Sequence, residues 1–271
     1  FTRTPIYRVV ETIRREAACY GTTITHTELV GLAPQQALLD AAQWYLQLDR
    51  FSSDQILENK LTALDERTPL GFIDAVAAKS PTPGGGAVAA LAGALSAALT
   101  AMVGRLTMGK RRYANVVSEI SEVIVEAEHL RAGLTAQVNE DSVAFQAVMD
   151  AYQLPQATEE EKTQRQAAIQ EALIRAAEVP LATAQDALDA MELALTVARL
   201  GNVHAVADAA TAAWMAMAAI QGASLNVQTN AVSLGDEARQ RAWSTELRNI
   251  VTRAESVLAQ VQETVVTRGG L

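Results

Sequence analysis

The stretch SPTPGGGAVAALAGALSAALTAMVGRLTMGKRRY, residues 80–113, decides how this chain folds. No charged side chain lies between Lys79 and Arg105, and the stretch ends in a basic cluster of Arg105, Lys110, Arg111 and Arg112. The pattern predicts a buried helix over about residues 86–108, with a glycine turn at one end and positive charge at the other. In a chain of formal net charge -9, this local gathering of cations indicates a site for an anionic ligand.

The run from Pro83 to Gly104 is also long enough, at about 20 residues, to cross a lipid bilayer. Its composition argues against that interpretation, because alanine and glycine contribute little apolar area and no aromatic belt flanks the run. We therefore expect a helix buried in a soluble bundle and no membrane partner.

The composition is that of a folded globular protein with one or two domains: 271 residues, 49% hydrophobic and 20% charged. Aromatic residues make up only 4% of the chain while alanine recurs throughout, which favours an all-α core with closely packed helices. The acidic balance argues against nucleic-acid binding. The single cysteine, Cys19, excludes an internal disulfide, and no signal peptide is visible, so a cytoplasmic location is expected.

The first 65 residues differ in pattern from the rest. They predict a helix capped by Thr4 and starting at Pro5, a strand rich in β-branched residues over 22–30, and a second helix opened by Pro34. One strand cannot satisfy its own ladder hydrogen bonds, so this segment reads as a truncated piece of an α/β unit. A polar hinge over 65–71 then separates two predicted domains, residues 1–65 and residues 69–271.

Helical patterns dominate from Pro69 onwards. Thr158 and Glu161 have the spacing of a capping box, and proline at position 180 is typical of a helix start. The helices expected after the central one span 113–137, 139–152, 158–177, 180–198, 203–232 and 237–266.

The glycine turn is the first candidate site. Free N–H groups at a helix start, with glycines that let a ligand approach, can bind a carboxylate or a phosphate. The turn lacks the lysine and the hydroxyl of a nucleotide P-loop. It consists of Pro83, Gly84, Gly85 and Gly86, and its other interpretation is a helix start that needs tight packing against a neighbour.

The basic cluster is the second candidate. With Tyr113 beside it, the cluster suits a planar acid that carries an anionic tail, although such clusters also occur simply as solvated surface charge.

Two carboxylates are candidates for chemistry. Asp208 is the only carboxylate between Arg199 and Asp236, inside an apolar helix, so it is predicted to be either paired or kept for catalysis. His204 lies one turn earlier and either hydrogen-bonds it or faces solvent. Asp141 is expected in the first turn of a helix, where a carboxylate can also be only a cap or a dipole partner. Neutral polar groups near the Asp208 segment could bind a pterin-like ring: Asn202, Asn226, Gln228 and Asn230.

Taken together, these motifs resemble the cyclodeaminase family, which includes formiminotetrahydrofolate cyclodeaminase and methenyltetrahydrofolate cyclohydrolase. The family's paired serine and aspartate correspond to Ala207 and Asp208 here, so the serine is absent. The matching segments are 81–95, 108–113, Asp141 with Ala144 and Phe145, 154–162, 179–181, 201–202, 208–209 and 222–227.

The opening residues resemble the C-terminal end of a glutamate formiminotransferase domain, in particular Glu28 to Pro34 and Ala37 to Ala41. The part of that domain with the catalytic histidine has no counterpart in this sequence. In the bifunctional enzyme this domain precedes the cyclodeaminase, and the same order here favours cyclodeaminase over the stand-alone cyclohydrolase.

The resemblance implies an all-helical homodimer or higher homo-oligomer that binds a tetrahydrofolate derivative as substrate, without a metal. A formiminotransferase domain is a further partner that it implies. Asp208 is then the main acid/base and Asp141 a second carboxylate, while the glycine turn and Lys110 or Arg112 hold the p-aminobenzoyl-glutamate tail. The expected substrate-binding residues are Pro83, Gly84, Gly85, Gly86, Arg105, Lys110, Arg112, Tyr113, Asn202, Asn226 and Asn230. The alternatives are a cyclohydrolase and a non-catalytic folate-binding or assembly module.

Overall fold

The computed structural model describes residues 4–49, 51–52, 55–57 and 69–270. The chain divides into two compact units, residues 1–71 and residues 72–271. The hinge predicted over 65–71 lies mostly outside the described residues. The domain limits at 65 and 69 therefore stay a prediction.

The first unit contains helices α1 (Ile6–Cys19) and α2 (Gln35–Leu46). Pro5 and Pro34 are the N-cap residues, so each helix begins one residue later than a proline at the first helical position would give. The ring of Tyr7 stacks on Trp44 with centroids 4.8 Å apart. The strand predicted over 22–30 is wrong: these residues form no strand, because no described segment supplies a ladder partner.

Most of the remaining described chain is helical, and the predicted all-α multihelical bundle is confirmed. Short turns of 3₁₀-helix lie at Arg111–Val116 and Val203–Ala205, and one turn of π-helix lies at Val265–Gly269. The helices are α3 (Pro69–Ala77), α4 (Gly85–Thr107), α5 (Val117–Tyr152), α6 (Glu159–Leu200), α7 (Val206–Leu234) and α8 (Glu237–Thr264).

Two pairs of predicted helices are each a single long helix. Helix α5 continues through the break expected before Asn139, and α6 continues through Pro180. Because proline has no N–H, the carbonyl of Ala176 loses its usual helical donor. The side chain of Asn230 replaces that donor, with its Nδ2 2.6 Å from the oxygen of Ala176. A contact between distant helices therefore stabilises a proline that usually marks a helix boundary.

Helix α4 lies at the centre of the second unit and packs against α5, α6 and α7. Its glycines allow α5 to come close: a Cβ added at Gly93 would lie 3.0 Å from a methyl of Leu134, and one at Gly104 would lie 2.6 Å from Ile124. Its alanines, including Ala90 and Ala97, are fully buried. Small side chains thus produce the close helix packing that the composition indicates.

Candidate active site

The glycine turn does bind a carboxylate, and that carboxylate is the protein's own. Gly84 caps α4, and the N–H of Ala87 in its first turn donates to Oδ2 of Asp141 over 3.0 Å. Asp141 projects from the middle of α5, so the prediction that it lies in the first turn of its own helix is wrong. It satisfies one of the free N–H groups that every helix start leaves without a partner.

Gly86 makes room for this carboxylate. A Cβ at Gly86 would lie 2.5 Å from Cγ and 2.9 Å from Oδ2 of Asp141, and closer still to Oδ1. Real Cβ atoms essentially never approach other atoms this closely, so any side chain here would displace the Asp141 carboxylate. The two interpretations of the turn, anion binding and close packing, therefore apply to the same contact.

The surroundings of Asp141 change its acidity. Burial raises the pKa of Asp141 above the usual aspartate value, and the hydrogen bond from Ala87 lowers it to a smaller extent. Because burial disfavours the ionised form, this carboxyl binds a proton more readily than an exposed aspartate does. A carboxyl with a raised pKa in a partly enclosed position is a candidate for accepting and returning a proton during a reaction.

Two asparagines of α7 lie on the same side of the bundle as the turn. A Cβ at Gly85 would lie 3.3 Å from Nδ2 of Asn226, which donates to the carbonyl of Gly222 over 2.8 Å. The Oδ1 atom of Asn226 accepts no hydrogen bond from the described part of the chain, so it remains available to a ligand. Asn230 already uses its donor on Ala176.

The sequence interpretation missed a polar network next to Asp141. Gln137 lies one turn before Asp141 on α5, and its Nε2 donates to Asp186 over 2.6 Å. Its Oε1 accepts from the buried hydroxyl of Thr183 over 2.8 Å. Gln137 and Asp141 are four residues apart, so they lie on the same face of a helix, and this spacing is the sequence signal that could have predicted the network.

Tyr113 and Asn202 lie at the opposite end of α4, where they join two helices. The buried hydroxyl of Tyr113 accepts the N–H of Val203 over 3.0 Å. The N–H of Asn202 donates to the Thr107 hydroxyl over 2.8 Å, and its Oδ1 accepts the N–H of His204 over 3.2 Å. These bonds attach the start of α7 to the end of α4, so both residues have a structural role in addition to any contact with substrate.

The basic cluster divides into paired and unpaired charges. Arg105 lies 2.8 Å from Glu128, and Glu128 also pairs with Arg131 at 2.6 Å. Hydrogen bonds from Arg131 and then Arg105 lower the pKa of Glu128. Lys110 and Arg112 are exposed and form no ion pair within the described residues, and the guanidinium of Arg112 lies 5.9 Å from the ring centroid of Tyr113. Arg111, which lies between them, is also exposed, so all three of these cations are free to bind an anion.

Asp208 lies in the first turn of α7 and is partly exposed. It forms no hydrogen bond with any described residue, and His204 is exposed, which agrees with the second of its two interpretations. A carboxylate at this position interacts favourably with the helix dipole. The two carboxylates therefore exchange the positions expected from the sequence, since Asp208 lies at a helix start and Asp141 lies within α5 against Gly86.

Within one chain, the predicted site residues do not form a single pocket. The 23 residues of α4 separate them into two groups by about 33 Å, at 1.5 Å per residue. The glycine end comprises Pro83, Gly84, Gly85, Gly86, Asp141, Asn226 and Asn230. The basic end comprises Arg105, Lys110, Arg112, Tyr113, Asn202 and Asp208. The glycine turn and Lys110 of one chain therefore lie too far apart to hold one substrate tail together.

A separate groove of about 750 Å³ between α5 and α6 contains none of these residues. Its walls include Ala151, Leu154 and Ile174. In the described ranges, no three His, Cys, Asp or Glu side chains are grouped so that they could hold a metal ion.

Comparison with known proteins connects this geometry to a family. Residues 69–249 match the family model described as formiminotransferase-cyclodeaminase, and residues 1–65 match that of the formiminotransferase domain. The chain is 42% identical over 197 residues to the methenyltetrahydrofolate cyclohydrolase of Methylorubrum extorquens, covering 73% of this chain and 95% of that protein.

The formimidoyltransferase-cyclodeaminase of Gallus gallus is 34% identical over 284 residues, which cover 93% of this chain. The match covers 52% of the Gallus protein, so the chain spans about half the length of this bifunctional relative. The crystal structure of formiminotetrahydrofolate cyclodeaminase from Thermotoga maritima superposes with a TM-score of 0.67 at 29% identity, covering 75% of this chain and 98% of that one. The predicted resemblance is confirmed, and the chain belongs to the formiminotransferase-cyclodeaminase family.

Proposed function

We propose that this chain is a formiminotetrahydrofolate cyclodeaminase, which converts 5-formiminotetrahydrofolate to 5,10-methenyltetrahydrofolate and ammonia. The observation that carries the proposal is Asp141, a partly buried carboxyl with a raised pKa at a glycine-rich helix start. The order of the two matched segments, as in the bifunctional relatives, supports the cyclodeaminase over other family activities.

The reaction moves protons at two nitrogen atoms. N10 of the folate attacks the carbon of the protonated formimino group (–CH=NH2⁺) and loses its proton, which gives a tetrahedral centre that carries an amino group. The formimino nitrogen gains a proton and leaves as ammonia, and the methenyl product is a cation. A carboxylate that accepts the first proton, returns it to the leaving nitrogen and faces the cation accelerates such a reaction by about 100-fold or more.

We assign Asp141 as the main acid/base and Asp208 as the second carboxylate, which reverses the order expected from the sequence. We infer that the chain acts as the homodimer that the resemblance implies, because Lys110 and Arg112 lie about 33 Å from Asp141 within one chain. Lys110 and Arg112 of the partner subunit then suit the carboxylates of the glutamate tail, and the open Oδ1 of Asn226 suits an N–H of the pterin ring.

The central experiment compares Asp141→Asn with Asp208→Asn in the full chain. The amide introduced at position 141 can still accept the N–H of Ala87, so the fold should persist while kcat falls by about 100-fold or more, as expected for a lost general acid/base. Asp208→Asn should lower kcat less. If Asp141→Asn turns over at the wild-type rate, the assignment of the acid/base is wrong.

Lys110→Ala tests the tail site. Contacts with the tail are shared by the ground state and the transition state, so KM should rise more than kcat falls. Exposed Arg111 beside it provides a matched control, since Arg111→Ala removes the same charge from a position not assigned to the tail. An unchanged KM in Lys110→Ala would contradict the tail site.

A cyclohydrolase is the second candidate, favoured by the 42% identity to the Methylorubrum protein. Adding 5-formiminotetrahydrofolate and following methenyl absorbance together with ammonia distinguishes the two activities. Release of ammonia supports the cyclodeaminase, whereas hydrolysis of supplied methenyltetrahydrofolate without ammonia release supports the cyclohydrolase. Folate binding with neither reaction would indicate a non-catalytic module.

The proposal includes a cytoplasmic location and a reaction that needs no metal. Activity should therefore persist after treatment with EDTA and dialysis, and its loss, with recovery on adding a divalent metal, would overturn this part of the proposal.

A further inference from the structure

Arg268 lies in the π-helical turn Val265–Gly269 that follows α8, and its side chain binds the turn between α6 and α7. Its Nη2 donates to the carbonyl of Gly201 over 3.0 Å, and its Nη1 donates to the carbonyl of Ala198. The side chain is partly buried, and it forms no ion pair with any carboxylate in the described part of the chain. The guanidinium therefore serves two backbone carbonyls of one turn.

The carbonyl of Ala198 lacks the donor that a continuing helix would supply. Four residues further on, the N–H of Asn202 leaves the helical pattern and donates to the Thr107 hydroxyl over 2.8 Å. The last carbonyls of a helix are often bound by a basic side chain, which also interacts favourably with the negative end of the helix dipole. Arg268 has this role at the end of α6.

The carbonyl of Gly201 lacks its helical donor for a similar reason. The N–H of Ala205, four residues further on, donates to the carbonyl of Asn202 over 2.9 Å. Gly201 is buried, and a Cβ at this position would clash with the carbonyl oxygen of Val197, so the turn is closely packed. A buried carbonyl without a partner costs free energy, so the bond from Arg268 stabilises the turn in this conformation.

The turn that Arg268 binds lies between Asp208 and the free cations. On one side, the hydroxyl of Tyr113 accepts the N–H of Val203 over 3.0 Å, and Tyr113 directly follows the cations of 110–112. On the other side, α7 begins and carries Asp208 in its first turn. The π-helical turn contacts both α7 and the 3₁₀-helix that precedes it. A displacement of this turn would therefore move the cations and Asp208 together.

We infer that Arg268 is a positioning residue for the proposed reaction: by holding the Gly201–Asn202 turn, it sets the positions of Asp208 and of the cations that bind the substrate tail. This role rests on the proposed function, whereas the contact with the turn does not. Arg268 lies outside residues 69–249, which match the family model, so that match assigns it no role. Its effect on the reaction is indirect and passes through the turn.

Hydrogen exchange tests the contact in the absence of substrate. In the full chain with Arg268→Ala, the amides of residues 201–205 should exchange about 10-fold faster or more, because two hydrogen bonds from a charged group no longer oppose opening of the turn. Arg199→Ala is the matched control. It removes the same charge, and the guanidinium of Arg199 joins α6 to α8 through Gln260 over 2.8 Å without binding the turn. Unchanged exchange at 201–205 in Arg268→Ala would overturn the inference.

Arg268→Lys is the conservative variant. Lysine keeps the charge and can still donate to a carbonyl, but it lacks the planar fork of arginine. Its exchange rate and kcat/KM should therefore lie between those of Arg268→Ala and the wild type. If Arg268→Ala does not fold, the exchange and kinetic comparisons are made between Arg268→Lys and the wild type. A lysine variant that behaves as the alanine variant does would overturn the inference, because charge and donors would then not be what holds the turn.

Kinetic cycles test the link to the reaction. A misplacement of about 1 Å can cost about 100-fold, so Arg268→Ala should lower kcat/KM by about 10-fold or more, and Arg199→Ala should not. The effect of Arg268→Ala on kcat is then measured again in the Asp208→Asn background, and its effect on KM in the Lys110→Ala background. A residue that acts by placing these groups has a smaller effect once they are removed. Effects of full size in both backgrounds would overturn the inference.

The two kinds of measurement separate this inference from the proposed function. Faster exchange at 201–205 with wild-type kinetics would overturn the positioning role while the proposed function stands. A wild-type chain that performs neither folate reaction would overturn the proposed function and with it the role of Arg268 in the reaction. Hydrogen exchange would still decide whether Arg268 holds the turn.

Discussion

Replacing Gly86 by alanine should disrupt the contact between the start of α4 and Asp141. The new Cβ would lie 2.5 Å from Cγ of Asp141, too close for either group to remain in place. Asp141 is in the middle of α5, so its backbone is fixed and only its short side chain can move. The carboxylate must then leave the N–H of Ala87, or α4 and α5 must move apart.

Either response has a cost that can be estimated. Losing a hydrogen bond to a charged group costs about 1.5–3 kcal/mol. Overpacking a closely packed contact typically costs about 1–3 kcal/mol. Alanine is favoured over glycine in a helix by about 1 kcal/mol, which offsets part of the loss. We expect Gly86→Ala to lower the free energy of unfolding by up to about 2 kcal/mol and to lower kcat, since the carboxylate is displaced.

A double-mutant cycle isolates this contact. Stability is measured by urea unfolding at one fixed protein concentration for Gly86→Ala, Asp141→Ala and the combination. Without the carboxylate the new methyl has room, so Gly86→Ala should be neutral or stabilising in the Asp141→Ala background. Gly133→Ala in α5, whose Cβ would be 4.0 Å from its nearest neighbour, is the control and should stabilise the chain. An equal loss of stability in both backgrounds would refute the proposed contact.

Three further predictions concern stability. Because the pKa of Asp141 is raised, the wild-type chain loses stability as pH rises from the usual aspartate pKa through the raised one, so Asp141→Asn should gain stability relative to wild type over that rise; parallel pH profiles would contradict this. Asn230→Ala should lower the free energy of unfolding, measured in urea, by about 1–3 kcal/mol, because it leaves the Ala176 carbonyl without a donor. Adding Pro180→Ala to that variant should recover part of the loss by restoring a backbone N–H. Arg105→Ala should change the free energy of unfolding by less than about 1 kcal/mol, because its ion pair is exposed.

The elements that the sequence predicts well are those set by neighbouring residues. Helix α4 is predicted over about 86–108 and spans Gly85–Thr107, because the glycine turn and the basic end bound an uncharged run. The capping box of Thr158 and Glu161 forms as predicted, with both of its hydrogen bonds present. Each of these signals acts within a few residues along the chain.

The elements that the sequence predicts poorly depend on distant partners. Pro180 is typical of a helix start, but it lies inside α6 because Asn230, fifty residues later, supplies the missing donor to Ala176. The strand over 22–30 follows from β-branched composition alone, and composition does not provide the neighbouring strands that a ladder needs.

The assignment of the two carboxylates shows the same limit. Asp208 has apolar neighbours in sequence, which suggests a buried group, but its position at a helix start leaves it partly exposed. Asp141 follows Asn139 and Glu140, which suggests a surface turn, but the packing of α4 on α5 places it against Gly86. The burial of a carboxylate therefore depends on which helix packs against it, and the residue that indicates this packing is the glycine that allows the close approach. Gly86 and Asp141 are far apart in the chain, and the role of each follows only from their contact. The absence of a side chain at Gly86 leaves room for the Asp141 carboxylate, and burial at this position raises the pKa of that carboxylate.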